Sequence, residues 1–382
     1  MRAIYVSALL CFLSYSCQKK DQGTPSPMGP VITGINPAIA SPNTNVTIGG
    51  YRFKAAADSD TVGFNGIPAT VQSASDTALV VLVPPSGTNG PVTVVTSAGK
   101  ATGPQFTYGP DIYVAGFELA GPATPLPSPA PKYWKNGVGV PIVDNTSYGF
   151  IYSMALGESD VYLAGYAGTN GCYWDNEGIT YVGGGIDGSQ VNAITLANGN
   201  IYSVGSVSPS PLSALLWING VTTTLSSSTT NAAANAIAVS GSDIYVGGWS
   251  GDETHGWNQP AYWKNGVLTA LSNGTQNAVA NAIQIVGNDV YVAGSESNGS
   301  YTMAKYWKNG SPVVLTSGGT NAGANAIAVV GNDVYVAGFE SDLSTPATLP
   351  FWGYIAKYWK NGVPVQLGTS VYSSEAFAIA IK

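Results

Sequence analysis

From residue 111 onward, apolar and polar positions alternate in short runs, and the runs themselves recur. A phrase of the form Asp-[Ile/Val]-Tyr-Val-x-Gly begins at Asp111, Asp160, Asp243, Asp289 and Asp333, with a degenerate copy at Asn200. A second phrase, Tyr-Trp-Lys-Asn-Gly or a variant, is centred on Trp134, Trp174, Trp217, Trp263, Trp307 and Trp359. A third, Asn-Ala-Ile-Ala-Val or a variant, starts at Asn192, Asn235, Asn281 and Asn325, with weaker copies at 153–156 and 377–381. The tryptophans recur at intervals of about 40–50 residues, the length of a propeller blade. Alternation with period two, and Gly inside every unit, exclude a helical repeat. The last complete unit reads as four strands, at 326–330, 334–338, 357–359 and 363–367. Turns are expected at Gly331-Asn332-Asp333 and at Asn361-Gly362, where positive φ suits a two-residue hairpin.

Phase predicts how the repeats close. The region opens on a second strand at Asp111 and ends on a first strand at 377–381. The expected order is therefore three strands, five whole blades, then one strand that pairs beside the first and seals the ring. Small Ala and Gly in the first two strands suit a crowded centre. Tyr and Trp in the third suit the wider spaces between blades.

Residues 30–109 carry a different pattern of short alternating strands. The runs are Pro30-Val31-Ile32, Ile35-Asn36-Pro37, Val46-Thr47-Ile48-Gly49-Gly50, Val62-Gly63-Phe64-Asn65-Gly66, an alternating stretch ending in Pro84-Pro85, Val92-Thr93-Val94-Val95-Thr96, and Phe106-Thr107-Tyr108. Gly, Asn and Pro separate them, as in a two-sheet sandwich. The order of these motifs closely resembles the IPT/TIG family of immunoglobulin-like domains. That resemblance implies a spacer or interaction module without catalytic residues. The whole chain is thus expected to be all-β: an Ig-like (IPT/TIG) sandwich followed by a six-bladed β-propeller at 110–382.

Composition narrows the function. The 382 residues are 45% hydrophobic and only 9% charged, with 48 Gly, 24 Pro and 22 Tyr. Net charge is −7, and the body of the chain lacks the Lys/Arg surface that nucleic acid requires. Residues 1–16 combine Arg2 with an apolar run too short to span a bilayer. The sequence Leu13-Ser14-Tyr15-Ser16-Cys17 resembles the lipobox of bacterial lipoproteins, which implies cleavage before Cys17 and its acylation. Gln18-Lys19-Lys20-Asp21-Gln22 is similar to the export tag of surface lipoproteins in Bacteroidetes-type bacteria. Residues 17–29 then form the acylated Cys and a Pro/Gly/Ser-rich linker. The expected address is the outer membrane, through the lipid anchor, on the cell surface. With Cys11 removed and Cys17 acylated, Cys172 is the one thiol left, so neither an internal disulfide nor a thiolate zinc site is expected.

No catalytic residues, cofactor or metal are expected. Glu118, Glu296 and Glu340 end the second strand of three units, a placement that invites a two-carboxylate glycosidase reading. Those same three units carry Lys132, Lys305 and Lys357 before Tyr-Trp, which favours cross-strand Glu–Lys pairs. His255, the single histidine, stands without a nucleophile motif nearby. The candidate ligand-binding residues are two sets. Asn192, Asn235, Asn281 and Asn325 stand at the start of the innermost strands. Trp249, Trp257, Phe351, Trp352 and Tyr354 stand in long loops at 117–131, 249–260 and 339–356, expected to open on one face. The expected function is a monomeric, non-enzymatic surface binding protein for a glycan or an extracellular protein. The rival readings are a carbohydrate-active lyase or hydrolase and a structural envelope component.

Overall fold

A computed structural model describes residues 28–56, 60–111, 113–120, 128–136, 138–140, 142, 149–208, 211–227, 229–251, 257–341, 353–367, 374–379 and 381. The expected leader, Cys17 and the linker up to residue 27 lie outside these. The chain divides into two compact units, the second of them built from Tyr113–Lys135 and Gly139–Lys382.

The first unit holds β1 (Val31–Asn36), β2 (Ile39–Ala40), β3 (Asn45–Tyr51), β4 (Thr61–Phe64), β5 (Ile67–Ala74), β6 (Ala78–Leu82), β7 (Gly90–Thr96) and β8 (Gly99–Tyr108). They are ordered β1-β3-β6-β5-β4-β7-β8-β2. β5 joins the two layers of the sandwich: Ala69 pairs with Val62 of β4, and Thr70 pairs with Leu82 of β6. Alternation decides which side chains enter. Val46 and Ile48 on β3, Leu79 and Val81 on β6, and Val92 and Val94 on β7 are all at most 1% exposed. Phe64 and Phe106 meet edge-to-face at the centre, with ring centroids 4.7 Å apart.

Among the described residues the second unit is six successive antiparallel sheets, stacked as propeller blades are. The first has three strands, Tyr113–Ala120, Ser128–Lys135 and Val138–Val140, and each of the other five has four. The sixth, for example, runs Ala322–Val330, Asp333–Ser341, Tyr354–Lys360 and Val363–Gln366. First strands of neighbouring sheets touch one another from the second sheet to the sixth. The expected turns form: Asn361 and Gly362 have φ of 50° and 82°, and Asn265-Gly266 and Asn309-Gly310 repeat that pair of values.

Each junction between sheets is sealed by the tryptophan of the later sheet. Trp174, Trp217, Trp263, Trp307 and Trp359 are at most 1% exposed, each in an apolar cluster shared with the preceding sheet. Trp359 packs with Val336 of its own sheet and with Tyr291, Ala293 and Ala304 of the fifth.

The expected closing strand is where structure and expectation differ. Among the described residues, 374–379 form no strand and no ladder with Tyr113–Ala120. Val114 is correspondingly 53% exposed, whereas its counterparts Val246, Val292 and Val336 are buried. Every other first strand is tied to its second by a short hairpin. The closing strand must instead find its partner across the whole domain, at a larger loop-closure cost.

Candidate functional site

The Asn of the Asn-Ala-Ile-Ala-Val phrase is an extra residue in its ladder. Register shifts fall between Val191 and Ala193, Ala234 and Ala236, Ala280 and Ala282, and Ala324 and Ala326. Each shift leaves an Asn bulged out of the pairing. The bulge explains the invariant Gly of the Asp-x-Tyr-Val-x-Gly phrase, since a Cβ on Gly294 would sit 1.9 Å from the carbonyl oxygen of Val279. Freed from the ladder, the side chains of Asn192, Asn235 and Asn281 reach the next sheet. The Nδ2 group donates to a backbone carbonyl there: Asn192 to Ala234 at 2.9 Å, Asn235 to Ala280 at 3.0 Å, and Asn281 to Ala324 at 3.0 Å. These amides therefore hold sheet to sheet, with one N–H and Oδ1 of each amide not used by that bond.

The acidic candidates are also engaged. Lys305 Nζ lies 2.5 Å from Glu296 Oε2, and Lys357 Nζ lies 2.7 Å from Glu340 Oε2. Both are diagonal cross-strand pairs, since Lys305 stands opposite Gly294 and Lys357 opposite Gly338. The side chain of Glu118 is outside the described residues, as is His255. Cys172 is buried in an apolar cluster, and desolvation pushes its thiol far above the usual range.

On the hairpin face a second tie links the two long phrases. Asp243 accepts from Lys264 at 2.8 Å and from Asn265 at 2.8 Å, and Asp289 with Lys308 and Asn309, and Asp333 with Lys360 and Asn361, repeat the arrangement. Those hydrogen bonds, from Lys first and then Asn, lower the carboxyl pKa of all three aspartates.

A pocket of about 280 Å³ opens at the opposite end of the strands, between the fifth and sixth sheets. Its lining is Asn281, Ser295, Thr302, Asn321, Ala322, Gly323, Asn325, Phe339 and Tyr354. Phe339, in the strand Asp333–Ser341, and Tyr354, the first residue of Tyr354–Lys360, form a ring pair with centroids 4.5 Å apart and planes at 39°. A Cβ on Gly323 would fall 2.7 Å from the Phe339 ring, so that ring occupies the space glycine leaves. Asn321 is fixed in the wall by accepting from the Thr302 N–H at 3.0 Å.

Three of the residues singled out from sequence thus converge here: Asn281, Asn325 and Tyr354. Asn192 and Asn235 take equivalent places at earlier junctions. Phe351 and Trp352 lie outside the described residues. Trp257 is 38% exposed just before the strand Asn258–Lys264. Trp249 is not in a loop: it belongs to the strand Asp243–Gly251, half-buried opposite Ala233 and Pro260. The expected loops are shorter than read, because pairing runs on to Gly251 with Asn258 and Ser341 with Tyr354. Aromatic and small polar residues continue a ladder readily, and their polarity alone resembled a loop.

Ser295, Thr302, Asn321, Gly323 and Phe339 were missed. The signal lay in variation between the repeats. The residue after the invariant Gly and its partner on the first strand are Tyr166 with Phe150, Ser206 with Gln190, Trp249 with Ala233, Ser295 with Val279, and Phe339 with Gly323. These positions vary from sheet to sheet inside a constant frame, whereas Asn321 repeats Asn231 and Asn277, which accept the same backbone N–H bond in the two preceding sheets.

A groove of about 690 Å³ lies on the hairpin face, along 156–162 and 196–201. It carries Glu158 and Asp160 beside Tyr162. Here Asp175 replaces the lysine that pairs with the equivalent Asp in three later sheets, so the groove is acidic.

Residues 30–108 match the IPT/TIG domain family. No curated protein matches the chain. Among solved structures, it is similar to an auxiliary nutrient binding protein from Bacteroides thetaiotaomicron at 12% identity, covering 89% of this chain and 86% of that one, with a TM-score of 0.37. An auxiliary nutrient binding protein from Bacteroides ovatus is similar at 13% identity over 89% and 86%, with a TM-score of 0.39. A Bacteroides thetaiotaomicron protein of unknown function is similar at 14% identity over 90% and 87%, with a TM-score of 0.34. Scores this low carry no function from those proteins to this one.

Proposed function

We propose that the chain is an exported, lipid-anchored surface protein that binds a glycan through the pocket between the fifth and sixth sheets, without catalysing its turnover. The IPT/TIG domain serves as spacer and the six-sheet unit as head. One observation carries the reading: amides and hydroxyls from four strands and the segment before Ala322 converge on a ring pair, at the end of a rigid stack. Neutral donors and acceptors beside an aromatic face match a sugar, which alternates hydroxyls with C–H surface. Among the described residues no carboxylate lines the pocket, and Glu296 and Glu340 are held by lysines, which argues against acid/base hydrolysis there. The anchor rests on the leader and Cys17.

The test is binding of the chain to a broad glycan array, wild type beside Tyr354→Ala. The expected result is specific hits that weaken by about tenfold or more in the variant. Hits that Tyr354→Ala leaves unchanged, or no hits at all, would remove the pocket from the account.

A further inference from the structure

We infer that the pocket takes a single uncharged sugar ring, and not a uronate, a sulfated sugar or an extended run of sugars; this rests on the glycan reading above. Charge comes first. All nine lining residues are neutral. The charged residues that follow Ser295 and Phe339 in the chain are closed on themselves: Glu296 pairs with Lys305 at 2.5 Å and Glu340 with Lys357 at 2.7 Å. The second oxygen of Glu340 accepts from Thr320 Oγ1 at 2.9 Å. Lys305 is 8% exposed, and it and Lys357 are both committed to their partners, so among the described residues no cation is left there to meet an anionic substituent. A carboxylate or sulfate moved into such a pocket loses hydration without compensation.

Size limits length. The volume of about 280 Å³ lies just below the ~300–1,000 Å³ that encloses a drug-sized ligand, which leaves room for one ring against Phe339 and Tyr354 and not for two in line.

The protein's own repeats show how the space arises. At the junction of the third and fourth sheets, Ser206 and Trp249 occupy the places of Ser295 and Phe339. There Ala233 stands where Gly323 stands here, and Asn258, paired with Gly251, stands where Tyr354, paired with Ser341, stands here. Glycine at 323 and a second ring at Tyr354 are what the fifth-to-sixth junction adds.

The experiment is calorimetric titration of the full chain with free glucose, galactose, mannose, xylose and N-acetylglucosamine, with glucuronate and galacturonate, and with neutral oligosaccharides of the sugars that bind. The expected result is binding of at least one neutral monosaccharide. Its oligosaccharides bind within about tenfold of it, which is about 1.4 kcal/mol, and its uronate at least about tenfold more weakly. Gly323→Ala, which drives the Phe339 ring into the pocket, and Tyr354→Ala each weaken binding by about tenfold or more. Tyr354→Ala keeps the test open should Gly323→Ala fail to fold. A uronate that binds as well as its neutral counterpart, or affinity that climbs more than tenfold with each added sugar, overturns the single neutral ring and leaves glycan binding standing. Failure of every sugar in both this titration and the array overturns both.

Discussion

The side-chain amide of Asn325 donates to the backbone carbonyl of Ala376 at 3.1 Å, the same bond that Asn281 makes to Ala324 one sheet earlier. Ala376 N–H in turn donates to the Gly338 carbonyl at 3.2 Å. The C-terminal segment therefore stands where the first strand of a further sheet would begin, although 374–379 form no ladder. Repeat geometry reaches past the last complete repeat and positions the chain end.

That placement makes a prediction about the Asn clamps. Asn235→Ala removes a half-buried donor and leaves the Ala280 carbonyl without it, so the expected cost is about 1–3 kcal/mol. Asn235 is not a lining residue of the pocket, so sugar affinity is expected to stay unchanged. Urea unfolding and sugar titration on the same variant read the two effects apart.

The tryptophans predict unequal costs. Trp359→Ala empties a sealed junction, and about 3–5 kcal/mol of stability is expected to go with it. Trp134 holds the same place in the first sheet but is only half-buried, so Trp134→Ala is expected to cost clearly less. Equal costs in chemical denaturation would mean that the C-terminal end covers the first sheet as tightly as its neighbours cover theirs.

How much of this was legible beforehand depends on what repetition averages out. Six copies of the Trp phrase announced six sheets, and Asn361-Gly362 announced its hairpin, because both depend on local chemistry repeated until the pattern is plain. The Glu–Lys pairs were legible for the same reason, through co-occurrence within one chain. The clamp role of Asn281 was not: its partner, Ala324, lies 43 residues away, and nothing local to the Asn names it. Gly323 was invisible as a site residue because its contribution is space, which only the position of Phe339 reveals.

Acid should loosen the hairpin face. Lys264 and Asn265 hydrogen bonds hold the Asp243 carboxyl below its ordinary range, and Asp289 and Asp333 are held likewise. A depressed carboxyl stabilises the fold above its unfolded pKa and loses that contribution as pH falls through the folded one. The same bonds raise Lys264, Lys308 and Lys360, whose contribution is full below the unfolded lysine pKa and fades only at higher pH. Burial raises Glu375, which works in the opposite direction to the aspartates. The expected outcome is a thermal midpoint that drops as pH falls below the usual aspartate range. A triple Asp243→Asn, Asp289→Asn, Asp333→Asn variant should show a shallower drop.

Cys172 is expected to be chemically silent in the folded chain. It is fully buried among Leu163, Trp174 and Ile142, and its thiolate is strongly disfavoured there. Alkylation followed by peptide mapping should leave the Cys172 peptide unmodified in buffer and label it in urea. Rapid labelling in buffer would show that the second sheet opens far more readily than its packing implies.

The most direct test of the pocket assignment is hydrogen–deuterium exchange of the chain with and without a saturating array hit. The pocket reading predicts slowed exchange at Ser295–Thr302, at Asn321–Asn325 and around Phe339 and Tyr354, with the hairpins at 157–160 and 197–200 unchanged. Protection confined to those hairpins would place the ligand in the acidic groove on the opposite face and contradict the account.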